Sequence, residues 1–172
     1  MANTRMTGDT DATHILTQDH RKVEDLFSKF ENAGGKDKKE QIAHQICTEL
    51  KIHTMIEEEI FYPALEGKIE DEALLKEAYV EHDGAKVLVN EIEAGGPDEA
   101  FYDAKMTVLK EQIEHHVKEE EKMNGNLFQQ ARATDVDLMA LGEQIAARKQ
   151  ELVAQAESAG LPPAETTAVE AV

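Results

Sequence analysis

The chain is poor in several residue types that other protein classes rely on. Its 172 residues include one cysteine, no tryptophan, four prolines and only 5% aromatic side chains. A lone Cys47 cannot close an internal disulfide, which suits a reducing cytoplasm. With no activating neighbour, it reads as a small core residue. No run approaches the ~18 apolar residues of a membrane-crossing helix, and the stretch from Met1 to Thr13 has no apolar segment of the secretory kind. Neither a membrane span nor a signal is therefore expected, and the expected location is the cytoplasm. Positive charge is scarce too: 18 Lys and Arg stand against 36 Asp and Glu, a net charge of -18. Such a chain is poorly suited to nucleic acid or anionic lipid. Period-two alternation with hairpin turns is also missing, which leaves an all-α fold.

Four amphipathic stretches of similar length fill most of the sequence. Residues 1–12 read as a polar, flexible arm. The first helix is expected from about Thr13 to Asn32, with Leu16, His20, Val23, Phe27 and Phe30 along one face, and Gly34-Gly35 ends it. The second covers roughly Asp37 to Glu66, with Ile42, Ile46, Leu50, His53, Glu57 and Ile60 inward and Pro63 in its last turn. The third runs from about Asp71 to Ala94 on a stripe of Leu75, Tyr79, His82, Ala85, Val89 and Ile92, before Gly95-Gly96-Pro97. The fourth begins near Asp98, carries Tyr102, Met106, Leu109, Ile113, His116, Glu120 and Met123, and ends around Asn124-Gly125. Short connections between helices of similar length predict an up-down-up-down four-helix bundle over 13–131. An additional C-terminal helix is expected within 132–158, capped by Thr134 and striped by Leu138, Leu141, Ile145 and Leu152. It would pack on its own bundle or form a homodimer. Residues 159–172 read as a disordered tail.

Within these stripes lie residues that apolar packing does not explain. His20 and His82 stand alone on the first and third helices. His53/Glu57 and His116/Glu120 form His-x-x-x-Glu pairs on the second and fourth. Residues four apart share a helix face, so each pair directs an imidazole and a carboxylate to one point. Any single pair is an ordinary surface motif. In the middle of an apolar stripe, however, a carboxylate is costly to bury unpaired, and none of the stripe residues named above is Lys or Arg. Two metal cations would supply the missing charge, and a His/carboxylate set suits iron or manganese better than calcium or thiolate-bound zinc. Iron is the first choice and manganese the second.

The fourth helix offers two histidines. His115 with Glu119 keeps an interval of 33 residues from the lone histidine in both halves of the chain. His116 with Glu120 keeps the apolar register of Ile113, Leu109 and Met106. A loop can absorb one residue and a helix face cannot, so the register is preferred, with His115/Glu119 as the alternative. Glu24, one turn after His20, and Tyr79, one turn before His82, are candidates for contacts behind the metal-binding groups, although an exposed ion pair and a core position explain them as well. His14 and His44 fall on other faces.

With these residues in place, the chain resembles the hemerythrin-like, HHE cation-binding proteins. The likeness is carried by Gln18-Asp19-His20, by His53-Thr-Met-Ile-Glu57-Glu-Glu-Ile-Phe-Tyr-Pro63, by Glu81-His82-Asp83 and by the run from His115 to Glu121. It spans about residues 13–131. Two departures stand out. The family's fourth-helix motif usually closes on Phe-Pro, where this chain has Met123-Asn-Gly-Asn126. The oxygen-carrying members have a fifth histidine four residues after the third-helix histidine, where this chain has Lys86. The resemblance implies a non-haem di-iron centre bridged by Glu57 and Glu120, open to dioxygen, peroxide or nitric oxide. Redox chemistry on such ligands is the expected function. A non-catalytic protein that binds, stores or senses oxygen or iron is the alternative.

Overall fold

A computed structural model describes residues 11–170; most of the expected N-terminal arm and the last two residues of the tail lie outside the described residues. Five long helical segments form the fold, with no strand among the described residues. α1 spans Ala12–Glu31 and is capped by Asp11, whose carboxylate accepts the Thr13 N–H at 2.7 Å. α2 spans Lys36–Ile56, passes through a π-helical turn at Glu57–Phe61 and continues as α3, Tyr62–Leu65. α4 spans Glu72–Gly95, with Asp71 capping its start. α5 spans Tyr102–Val117 and ends in a second π-helical turn, Lys118–Lys122. A short α6, Leu127–Arg132, and a long α7, Leu138–Ser158, complete the order. The turns after α1 and α4 pass through Gly35 and Gly96 at φ 87 and 86, a region that only glycine enters without strain. α1, α2, α4 and α5 run up-down-up-down, and α7 lies against α1 and α2.

The core is split into two apolar layers. One holds Val23, Phe27, Phe30, Ile46, Leu50, Val89, Met106 and Leu109, together with buried Cys47. Burial pushes the Cys47 thiol up to about 12, consistent with an inert packing residue. The other layer holds Leu16, Ile52, Ile56, Phe61, Tyr62, Leu65, Leu75, Leu127, Phe128 and the α7 residues Leu141, Ile145 and Leu152. Between them runs a belt of buried polar groups that includes all four stripe histidines.

Several boundaries differ from the sequence expectations for local reasons. α5 starts at Tyr102 rather than near Asp98, because residues 97–101 form a turn held by the Glu99 N–H on the Gly96 carbonyl. It stops at Lys122, after which Met123 turns extended and Asn126 caps α6. The expected cap Thr134 instead donates its hydroxyl to the Ala131 carbonyl at the end of α6, and Asp137 caps α7. The apolar face of α7 packs on its own bundle, burying Leu141, Ile145 and Leu152. The tail differs most. Residues 161–170 do not hang free but lie against α4, fixed by hydrogen bonds to Asn90 and Asp83. Composition signals solvation, but it does not reveal buried polar partners waiting on another helix.

Candidate metal centre

The polar belt is built by all four bundle helices. α1 contributes His20, α2 His53, the following π turn Glu57, α4 His82, α5 His116 and the second π turn Glu120. All six are at most 5% exposed. His20 Nε2 and His53 Nε2 lie 3.1 Å apart, and His82 Nε2 and His116 Nε2 lie 3.2 Å apart. Both carboxylates span the two imidazole pairs. Glu57 places Oε1 3.3 Å from His53 Nε2 and Oε2 3.1 Å from His82 Nε2. Glu120 places Oε2 3.3 Å from His20 Nε2 and Oε1 3.4 Å from His116 Nε2. Two overlapping donor groups result: His20, His53, Glu57 and Glu120 in one, and Glu57, His82 and His116 in the other, each with its donor atoms within 4.8 Å of one another.

The adjacent histidines of α5 are placed very differently. His116 is buried among these donors. The His115 side chain is 62% exposed and meets Glu81 and Glu119, each at 3.2 Å, on the outside of the bundle. Glu24 pairs with Arg21 and Lys122, and Tyr79 donates its hydroxyl to Glu66, so neither reaches the buried donors.

The residue that sequence register overlooked is Tyr62. Its hydroxyl donates to Glu120 Oε1 at 2.6 Å and lies 3.1 Å from Glu57 Oε2, 3.1 Å from His82 Nε2 and 3.5 Å from His116 Nε2. A walk of three or four residues from Glu57 predicts Ile60 or Phe61 inward. The π turn adds a residue to that turn, so Tyr62, five after Glu57, comes onto the donor face, while Ile60 is only partly buried. The only signal available in advance was the Tyr-Pro pair that closes the second-helix motif.

Four carboxylates that the sequence did not reveal hold the imidazoles from behind. The Nδ1 atoms of His20, His53, His82 and His116 face Glu121 at 3.3 Å, Asp19 at 3.5 Å, Glu58 at 2.8 Å and Glu81 at 2.6 Å. A carboxylate on Nδ1 keeps the proton there and turns the Nε2 lone pair inward, the arrangement typical of metal-binding histidine. These carboxylates have cationic partners of their own: Arg21 on Glu121, Lys149 of α7 on Asp19, and Lys86 on Glu58 at 2.7 Å. Lys86 therefore points away from the buried donors.

Electrostatics show what the belt lacks. Burial disfavours charge on His53, but Glu57 and Asp19 outweigh it and raise the imidazole to about 10. Burial and the neighbouring Glu120 push the Glu57 carboxyl up, yet His53 and His82 prevail and hold it at about 2. Glu120 is held well below the usual carboxylate range, His116 and His20 overcoming its burial. Burial, with His53 alongside, lowers His20. Burial beside two carboxylates pushes the Tyr62 phenol well above its ordinary value. Even so, Glu57 Oε1 and Glu120 Oε2 are buried without a hydrogen-bond donor. Facing imidazole nitrogens and orphaned carboxylate oxygens, all directed inward, fit divalent or trivalent cations.

The fold and the belt together define a helical bundle with a buried His/carboxylate site of the metal-binding kind. The model of the hemerythrin HHE cation binding domain matches residues 11–127, and the chain belongs to that metal-cation-binding family. Among solved structures, a hemerythrin HHE cation binding domain-containing protein from Mycobacterium kansasii superposes with a TM-score of 0.71 at 24% identity, over 88% of this chain and 94% of that one. A protein described as a DNA nickase, from Nostoc sp. strain PCC 7120, is 27% identical over 113 residues, 66% of this chain. The match spans only 32% of that relative's length.

Proposed function

We propose that the belt holds two non-haem irons, one on His20 and His53, the other on His82 and His116, with Glu57 and Glu120 shared between them. The single observation that carries this reading is the pairing of the two imidazole couples across two carboxylates, each with one buried oxygen, Glu57 Oε1 and Glu120 Oε2, that has no hydrogen-bond donor. When bound, such a pair supplies electrons to small oxidants such as dioxygen or peroxide, or binds nitric oxide. Handling of oxidative or nitrosative stress is the physiological setting this chemistry fits.

The protein's own groups do the rest. The two apolar layers keep bulk water from the belt. The Asp19, Glu58, Glu81 and Glu121 carboxylates orient the imidazoles. Tyr62 holds a proton on its hydroxyl within hydrogen-bond reach of both shared carboxylates. The fifth imidazole expected of an oxygen carrier is absent, and Lys86 in its place is engaged with Glu58 and Asp83. That leaves one donor fewer around the His82 half, which favours reaction over simple carriage.

A second reading, non-catalytic binding, storage or sensing of oxygen or iron, draws on the tightness of the site. The crevice lined by Leu74, Ala78, Glu81, His116, Glu120 and Leu127 has no room for a water-sized sphere. Aerobic purification, iron quantification and an absorption spectrum, followed by addition of peroxide with oxygen release recorded, separate the two. Two irons per chain with peroxide turnover support the first reading. Two irons with a reversible oxygenated spectrum and no turnover support the second. A metal content near zero, with no uptake of added ferrous iron, overturns both.

A further inference from the structure

The four imidazoles are not held alike. Glu121, Asp19 and Glu81 are fixed through helical neighbours: Arg21 of α1, Lys149 of α7 and His115 of α5. Glu58, which holds His82, is fixed partly by a segment outside any helix. The Thr167 hydroxyl donates to Glu58 Oε2 at 2.6 Å, and Lys86 reaches Glu58, Asp83 and the Thr167 oxygen together. Three successive backbone N–H groups, of Thr167, Ala168 and Val169, converge on the Asp83 carboxylate at 2.6–2.8 Å. Further up α4, the Asn90 amide exchanges two hydrogen bonds of 2.8 Å with the backbone of Ala164.

Little of this attachment is apolar. Leu161 packs on the apolar layer that holds Phe61 and the α7 residues, but Pro162, Pro163 and residues 167–170 are exposed. The segment therefore stays in place through polar contacts to Asn90, Asp83, Lys86 and Glu58. Beneath it lies a cavity of about 380 Å³ lined by Lys51, Thr54, Met55, Glu58, Lys86 and the segment itself. Without the segment, that side of Glu58 would face open water, and its hold on His82 Nδ1 would face competition from solvent.

We propose that residues 161–170 form a positioning strap that sets His82 through Thr167 and Glu58, making one half of the centre depend on the C-terminal segment while the His20/His53 half does not. Thr167 and Asn90 are positioning residues; neither touches the buried donors. The proposal rests on the two-metal reading above for its metal-loaded form only.

Two measurements on the 172-residue chain test it. In the metal-free protein, ¹⁵N-histidine spectra report exchange of each Nδ1 proton with solvent. Thr167→Val is expected to speed exchange at His82 by about tenfold, the scale of losing one hydrogen bond to a charged group, leaving His20, His53 and His116 unchanged, with Thr167→Ser restoring the wild-type value. With cobalt(II) as probe, chelator-driven loss followed by visible absorption is expected in two phases. Thr167→Val and Asn90→Ala should each accelerate one phase about five- to tenfold and leave the other within about twofold. Equal exchange at His82 in the wild type and Thr167→Val, equal acceleration of both phases, or failure of Thr167→Ser to restore the signal would each overturn the strap. A wild-type protein that takes up no cobalt would count against the two-metal reading alone, because the proton-exchange test stands without metal.

Discussion

Replacing His116 by Gln and, separately, His115 by Gln sets two sequence neighbours against each other in one assay. The His116 ring is buried, 3.4 Å from Glu120 and 3.2 Å from the His82 ring, and it is the cationic partner that helps keep Glu120 ionised. Its loss leaves buried carboxylate charge less well compensated, and breaking a buried pair by removing one partner costs about 3–5 kcal/mol. For a chain of this size each kcal/mol moves the melting temperature by about 2–4 °C, so His116→Gln in the metal-free protein is expected to melt roughly 6–20 °C lower. The His115 ring is largely exposed and makes surface pairs, worth about 0–1 kcal/mol, so His115→Gln should melt within about 4 °C of wild type. The metal contents should diverge in the same sense. His115→Gln retains the wild-type stoichiometry measured by elemental analysis, and His116→Gln loses metal from the His82 half. A His115→Gln protein that loses metal while His116→Gln keeps it would refute the reasoning.

Two further predictions follow from the same geometry. In the metal-free protein, His53, raised to about 10 from an ordinary 6.5, contributes stability that is fully present below pH 6.5 and lost as pH rises through about 10; Glu57, lowered to about 2 from 4.5, contributes stability present above pH 4.5 and lost as pH falls through about 2. Melting curves across pH should therefore decline on both sides, and because a metal must expel the His53 proton, calorimetry in buffers of different ionisation heat should register proton release on binding and tighter binding at higher pH; pH-independent affinity would contradict this. Tyr62→Phe removes the 2.6 Å hydrogen bond that the hydroxyl donates to Glu120, and at about 1.5–3 kcal/mol for a bond to a charged group it should lower the urea midpoint of the metal-free protein, an unchanged midpoint counting against the hydroxyl's placement.

Much of the architecture was legible because it depends on local periodicity. Leu16, Val23, Phe27 and Phe30 define the inner face of α1, and the same period carries His20 into the belt. The fourth-helix register placed His116 inward and His115 outward, because a helix face tolerates no slip of one residue. Where the helix departs from 3.6 residues per turn, that reasoning fails. The π turn at Glu57–Phe61 brings Tyr62 inward in place of Ile60, and the second, at Lys118–Lys122, ends α5 before Met123. Glu58 and Glu121 each stand in a run of three glutamates, and nothing in their spacing pairs them with histidines on other helices.

The sequence by itself determined the helices, their inward faces and the six His and Glu side chains that end up buried in the polar belt, since each of these follows from residues within a few turns of one another. Only the tertiary structure decided what surrounds them. Contacts such as Glu81 to His116, Glu58 to His82, Lys149 to Asp19 and Thr167 to Glu58 join residues 24 to 130 positions apart. Their partners are chosen by how whole helices and the C-terminal segment pack, and helical periodicity carries no information over that distance.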